Sequence, residues 1–176
     1  MGVSTLLSFA DFERLPDDGQ KHELLEGEHI MSPPPKLRHC KIATRLIRAL
    51  MPHEQGRGTV FETAGFQLGH KTWLQPDASF VTNEQDGQAD PEGYWVGGPL
   101  LAIEVISESN TAREIDRKIA LLFEHGSEEV WVAYPDSRSI WVYRRGETGA
   151  TRCTDELRSP IFPDLRLNVK ALFDLD

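Results

Sequence analysis

The order of apolar and polar positions divides the chain into short helix-like and strand-like stretches separated by turns. Ser8 precedes a pattern in which Phe9, Phe12 and Leu15 recur every three residues, and Pro16, Asp17, Asp18 and Gly19 end it. His22 to Met31 reads as a hairpin turning near Glu26 and Gly27. Between Leu37 and Met51, the residues Ile42, Ala43, Leu46, Ile47, Ala49 and Leu50 recur at helical spacing, and Pro52 stops the run. Val60 to Leu68 and Trp73 to Val81 alternate as strands do. Leu100 to Ile106 is almost continuously apolar, as expected of a central strand covered on both faces.

Thr111 to His125 predicts a second long helix, with Thr111 and Glu114 at the spacing of a capping box and Gly126 at its close. Val130 to Tyr134 and Ser139 to Arg144 flank the turn residues Pro135 and Asp136. A short strand near Leu165 to Val169 precedes Ala171 to Phe173, while Ser32 to Pro35 and Asn83 to Gly98 read as loops. The sequence of elements is helix, strand, strand, strand, helix, strand, with hairpins at both ends. It predicts an α/β domain, a mixed sheet with helices packed on it.

The chain has 176 residues, 39% of them hydrophobic, which fits one domain over residues 1–176. At this size about 70% of the unfolded surface is buried, so a core forms without disulfides or a structural metal. Clustered ionisable residues therefore need another explanation. The net charge of −9 argues against binding a polyanion by bulk charge, so any nucleic-acid contact has to be local. Cys40 and Cys153 form no C-x-x-C pair and suit a reducing cytoplasm. The start lacks a basic leader region, and Leu6 stands where acylation of Gly2 would need Ser or Thr. No apolar window approaches the roughly 18 residues of a membrane span, so a soluble cytoplasmic protein is expected.

Glu104 interrupts the apolar run Leu100 to Ile106, where an unpaired buried carboxylate would cost several kcal/mol. It needs a partner: a buried base, a bound cation, or a proton of its own. Asp77, after Pro76, offers a second carboxylate on a preceding strand. Lys118 lies at the edge of the helix stripe formed by Ala112, Ile115, Ile119, Leu122 and Phe123. There it either snorkels over apolar surface or is held above the two acids, where it would stabilise developing negative charge.

Pro76-Asp77, then Glu104-Val105-Ile106-Ser107, then a helix bearing Lys118, resembles the PD-(D/E)XK nuclease superfamily. Within it, the chain is most similar to the bacterial restriction-endonuclease-like branch formerly called a domain of unknown function. The likeness runs from about Phe9 to Phe173 and includes Glu23-Leu24-x-x-Gly27 and the proline-rich segment before His39. It implies a restriction-endonuclease-like α-β-β-β-α-β core and a Mg²⁺- or Mn²⁺-dependent endonuclease acting on DNA. Asp77, Glu104 and the carbonyl of Ile103 or Val105 would hold the ion, with Lys118 and Glu23 completing the catalytic set. One departure is plain: Ile106 occupies the strand position where the superfamily carries its lysine, and Glu108 adds charge where relatives often have proline. The alternative is a nuclease fold without cleavage, serving as a nucleic-acid or protein binding module.

Arg38, Lys41, Arg45 and Arg48 share one helix face, with no acid between Lys36 and Met51. They form either a solvated face or a stripe along a phosphate backbone. His39 is in line with Ile42, Leu46 and Leu50, as a hydrogen-bonded core histidine or a site residue. A glycosidase would use the acids but gives Lys118 no role, and a serine hydrolase lacks a G-x-S-x-G elbow. A homodimer is expected by analogy with enzymes that cut both strands.

Overall fold

Ser8 opens α1 (Phe9–Phe12) with a reciprocal cap: its hydroxyl accepts from the Asp11 N–H, and the Asp11 carboxylate accepts from the Ser8 N–H. The computed structural model describes residues 6–175. The expectation about acylation of Gly2, and most of the leader region, lie outside the described residues. β1 (Lys21–Leu25) and β2 (Glu28–Ser32) form the expected hairpin, and its two loop residues, Glu26 and Gly27, have φ of 51° and 88°. That pair of positive angles matches the twist of a two-residue hairpin turn.

α2 (Leu37–Leu50) buries Ile42, Ala43, Leu46 and Leu50. The chain then runs through β3 (Gly58–Glu62), β4 (Phe66–Gln67), β5 (Trp73–Leu74) and β6 (Ala78–Thr82). Each of the two long strands expected between Val60 and Val81 is thus two short ones in different sheets. The first breaks at Thr63, with φ of 50°, and at Gly65, where a side chain would meet the Trp73 ring at 2.3 Å. The second breaks at Gln75 to Asp77, where Pro76 has no N–H to give a ladder.

The segment expected to be a loop after Thr82 contains α3 (Asn83–Gly87), capped by the Thr82 hydroxyl, and β7 (Trp95–Val96). β8 (Leu101–Val105) is buried along its whole length. α4 (Ala112–Glu124) follows with Thr111 as its cap, and the Thr111 hydroxyl accepts from the Glu114 N–H. β9 (Glu129–Tyr134), β10 (Ser139–Arg144) and β11 (Ala150–Cys153) form a meander. β12 (Glu156–Leu157) pairs with β13 (Leu167–Asn168), shorter than expected because Asn168 caps α5 (Val169–Phe173).

The main sheet has the order β11-β10-β9-β8-β6-β3, antiparallel except for the β8–β9 pair that α4 connects. α2, β3, β6, β8, α4 and β9 supply the α-β-β-β-α-β core. α2 and the C-terminal segment pack one face, through Leu46, Phe80, Ile103 and Phe162. α4 and the second sheet, β2-β1-β5-β4-β7, pack the other through Leu25, Phe66, Ile119 and Val132. Cys40 and Cys153 are free. Among the described residues, no helix is long and apolar enough to cross a membrane.

Candidate active site

The antiparallel register of β6 and β8 pairs Ala78 with Ile103, which places Asp77, one residue earlier, beside Glu104. Asp77 Oδ2 accepts from the Val105 N–H at 2.8 Å, fixing the aspartate against the end of β8. Both acids are nearly buried, at 9% and 5% exposure. Two strand ends of the main sheet thus converge on one carboxylate pair.

Lys118 is not at an exposed helix edge. It is 2% exposed, because the β1–β2 hairpin closes over that side of α4. Its Nζ lies 2.6 Å from Glu23 Oε2, 3.3 Å from Glu104 Oε1 and 4.0 Å from Glu114 Oε1. Glu23 is itself 1% exposed, and its Oε1 accepts from the Gln75 N–H at 2.8 Å. Arg117, on the same helix, fastens the hairpin at 2.8 Å from Glu26 Oε2 and 2.7 Å from Glu28 Oε2. Asp77, Glu104, Lys118 and Glu23 therefore meet in one cluster.

Two more bases belong to it. Lys21 Nζ donates to Asp77 Oδ1 at 3.0 Å, and His39 Nε2 lies 3.0 Å from Asp77 Oδ2. His39 thus reaches the cluster from the start of α2. Lys21 stood outside the candidates drawn from the sequence, although Lys21-x-Glu23 on one strand places both side chains on the same face.

The basic stripe on α2 is largely engaged by the protein itself. Arg38 bonds Asp136 at 2.7 Å and the Pro135 carbonyl. Lys41 donates to the Leu175 carbonyl at 3.2 Å, and Arg45 donates to the carbonyls of Ala171, Leu172 and Asp174. Arg48 is exposed. Glu108 is exposed as well and pairs with Lys36 at 3.0 Å, so its charge stands apart from the cluster.

The two strand acids differ electrostatically. Burial raises Asp77, but the His39 hydrogen bond, the Lys21 charge and the Val105 N–H outweigh it and hold the carboxyl well below the usual range. Burial pushes Glu104 up to about 7, against the charges of Lys118 and Lys21. Burial alone would lower Lys118, Lys21 and His39, yet their acidic neighbours leave all three raised. Asp77 is thus ionised while Glu104 titrates near neutrality, a separation typical of sites that handle protons or cations.

Among the described residues, no group of three or more His, Cys, Asp or Glu is arranged to hold an ion. Mg²⁺ does not require one, because it binds through one or two carboxylates and completes its shell with water and substrate phosphate. Glu104 fits that role: Lys118 engages Oε1, and Oε2 makes no hydrogen bond among the described residues. Asp77 fits once Lys21 shares Oδ1.

The profile of the Uma2 family, described as "Putative restriction endonuclease", matches residues 9–170. The crystal structure of a protein from Anabaena variabilis, described as a putative nuclease belonging to DUF820, superposes with a TM-score of 0.83 at 21% identity. That match covers 95% of this chain and 97% of the other. No curated protein matches the chain.

Proposed function

Because the chain belongs to the Uma2 family of restriction-endonuclease-like proteins, we propose that it is a metal-dependent endonuclease hydrolysing phosphodiester bonds in DNA. The observation that carries this reading is the pairing of Asp77 with Glu104 at the ends of β6 and β8, with Glu104 Oε2 accepting no hydrogen bond among the described residues. A Mg²⁺ or Mn²⁺ ion would be held by Asp77, Glu104 Oε2 and the Val105 carbonyl. When bound, it supplies polarisation of the phosphate and a lowered pKa for a coordinated water.

The chain's own residues do the rest. His39 and the Val105 N–H fix Asp77 Oδ2, so the aspartate does not turn away. Lys118 holds Glu104 through Oε1 and leaves Oε2 directed elsewhere. Glu23 completes the charge balance on Lys118 and, through the Gln75 N–H, ties the hairpin to the break before β6.

Supercoiled plasmid incubated with Mg²⁺ or Mn²⁺ is the direct test. Cleavage that EDTA stops, and that Asp77→Ala and Glu104→Ala each abolish, supports the proposal. A double variant that cuts as well as the parent overturns it.

A further inference from the structure

The strand lysine of the superfamily pattern is replaced by Ile106, and the structure offers two amines in its place. They stand in different surroundings. Lys118 has a side chain 2% exposed, and it faces three carboxylates within 4.0 Å. Two of its three N–H donors go to Glu23 and Glu104, and Glu114 stands close to the third, so this buried amine is committed to carboxylates rather than open to a substrate. Lys21 has a side chain 21% exposed and, among the described residues, makes one hydrogen bond, to Asp77 Oδ1.

We propose that Lys21, presented by β1, is the amine that meets the attacked phosphate, and that Lys118 is a buried tie between Glu23 and Glu104. This rests on the nuclease reading above and says which residue serves it. Successive side chains on a strand point to opposite faces, so Lys21 and Glu23 point the same way, with a carboxylate and an amine two residues apart. β8 carries no amine after Glu104, and the hairpin brings one to Asp77 from a second sheet, with Lys21 and His39 at the accessible rim and Lys118 and Glu23 on the floor.

In the hydrolysis, the water oxygen bonds to phosphorus and the bond from phosphorus to one sugar oxygen breaks. The proton lost by water ends on the leaving alkoxide. Lys21 keeps its own protons and donates hydrogen bonds to the phosphoryl oxygens as their charge grows. Its contact with Asp77 aims the amine before substrate arrives.

The test measures single-turnover cleavage of a duplex and, separately, Mn²⁺ binding by calorimetry, for the parent, Lys21→Met, Lys21→Gln and Lys21→Arg. Removing one such donor from a developing oxyanion costs about 100-fold or more in rate. Lys21→Met and Lys21→Gln are expected to lose that much while binding Mn²⁺ at least as tightly as the parent, since a competing cation beside Asp77 is gone. Lys21→Arg is expected to keep a substantial share of the rate. The assignment fails if Lys21→Met cleaves within about 2-fold of the parent, or if rate and Mn²⁺ affinity fall together. Failure of both neutral variants to fold also overturns it, by making Lys21 a strut. A parent that cleaves no duplex under any metal overturns the nuclease reading and this assignment together; a cleaving parent with an equally active Lys21→Met overturns the assignment alone.

Discussion

Glu104 on β8 and Glu129 on β9 are both buried glutamates on adjacent strands of one sheet, at 5% and 1% exposure. They face opposite layers: Glu129 is level with Leu101 on the α2 side, and Glu104 is level with Val132 on the α4 side. Glu129 is saturated in the sense that both of its oxygens have donors. Its Oε1 accepts from Arg144 Nε at 2.8 Å, and its Oε2 accepts from Trp131 Nε1 at 2.9 Å and Ser159 Oγ at 2.7 Å. Among the described residues, Glu104 has one bond, at 3.3 Å, to an amine it shares with Glu23. A buried carboxylate with donors on both oxygens is a structural joint, whereas one with an oxygen left without a donor invites a cation or a proton.

The sharpest way to break this contrast is Glu129→Ala. It leaves Arg144, Trp131 and Ser159 without their shared acceptor, a loss of roughly 3 to 5 kcal/mol for a broken buried pair. The side chain of Arg144 is 24% exposed and can reach water, so the low end is expected. Urea unfolding measures the loss, and cleavage by the protein that remains folded should match the parent. A loss below about 1 kcal/mol would mean that saturation does not distinguish the two acids.

Glu104→Gln sharpens the contrast from the other side, through pH. The folded pKa of Glu104 is pushed up from 4.5 to about 7, so the folded state holds a proton that the unfolded chain has released. Its stabilising contribution is complete below about 4.5 and lost as pH rises through about 7. Over that window the parent should weaken by on the order of 3 kcal/mol. His39, raised from 6.5, loses its contribution in the same direction at the upper end, whereas Asp77, lowered from 3.8, loses stability only as pH falls below that value. Urea melts from pH 4.5 to 8 should show a flatter slope for Glu104→Gln than for the parent, with cleavage abolished. An unchanged slope would remove the electrostatic case for Glu104.

Much of this pattern was legible in the sequence, and the failures share one cause. Glu104 stood out because an acid inside an apolar run contradicts its surroundings, and Asp77 because Pro76 marks a strand start. Glu129 gave no such signal, since it borders the run Val130 to Tyr134 and its three donors come from Trp131, Arg144 and Ser159. Helical periodicity put Lys118 at the edge of its stripe. What buries it there is the β1–β2 hairpin, from nearly a hundred residues earlier, which a local period does not register. The two sheet changes at Thr63 to Gly65 and Gln75 to Asp77 were hidden for a related reason: alternation continues across a break, and only pairing reveals which sheet each half joins. The engagement of Lys41 and Arg45 on α2 was equally hidden, because their carbonyl partners belong to the chain's far end.

The mildest perturbation asks whether saturation is graded or all-or-none. Ser159→Ala removes one of the three donors to Glu129 and also frees the Ile161 N–H, which donates to the same hydroxyl at 3.1 Å. Glu129 Oε2 retains the Trp131 bond and Oε1 retains Arg144, so the carboxylate keeps its charge compensation. The expected loss is about 1 to 2 kcal/mol, the cost of one of three donors to a carboxylate and of one backbone N–H left short in a buried site. Urea unfolding of Ser159→Ala beside Glu129→Ala measures the ratio. If the serine variant loses as much as the alanine at 129, the hydroxyl organises the whole joint, and Glu129 is as dependent on a single partner as Glu104 is on Lys118.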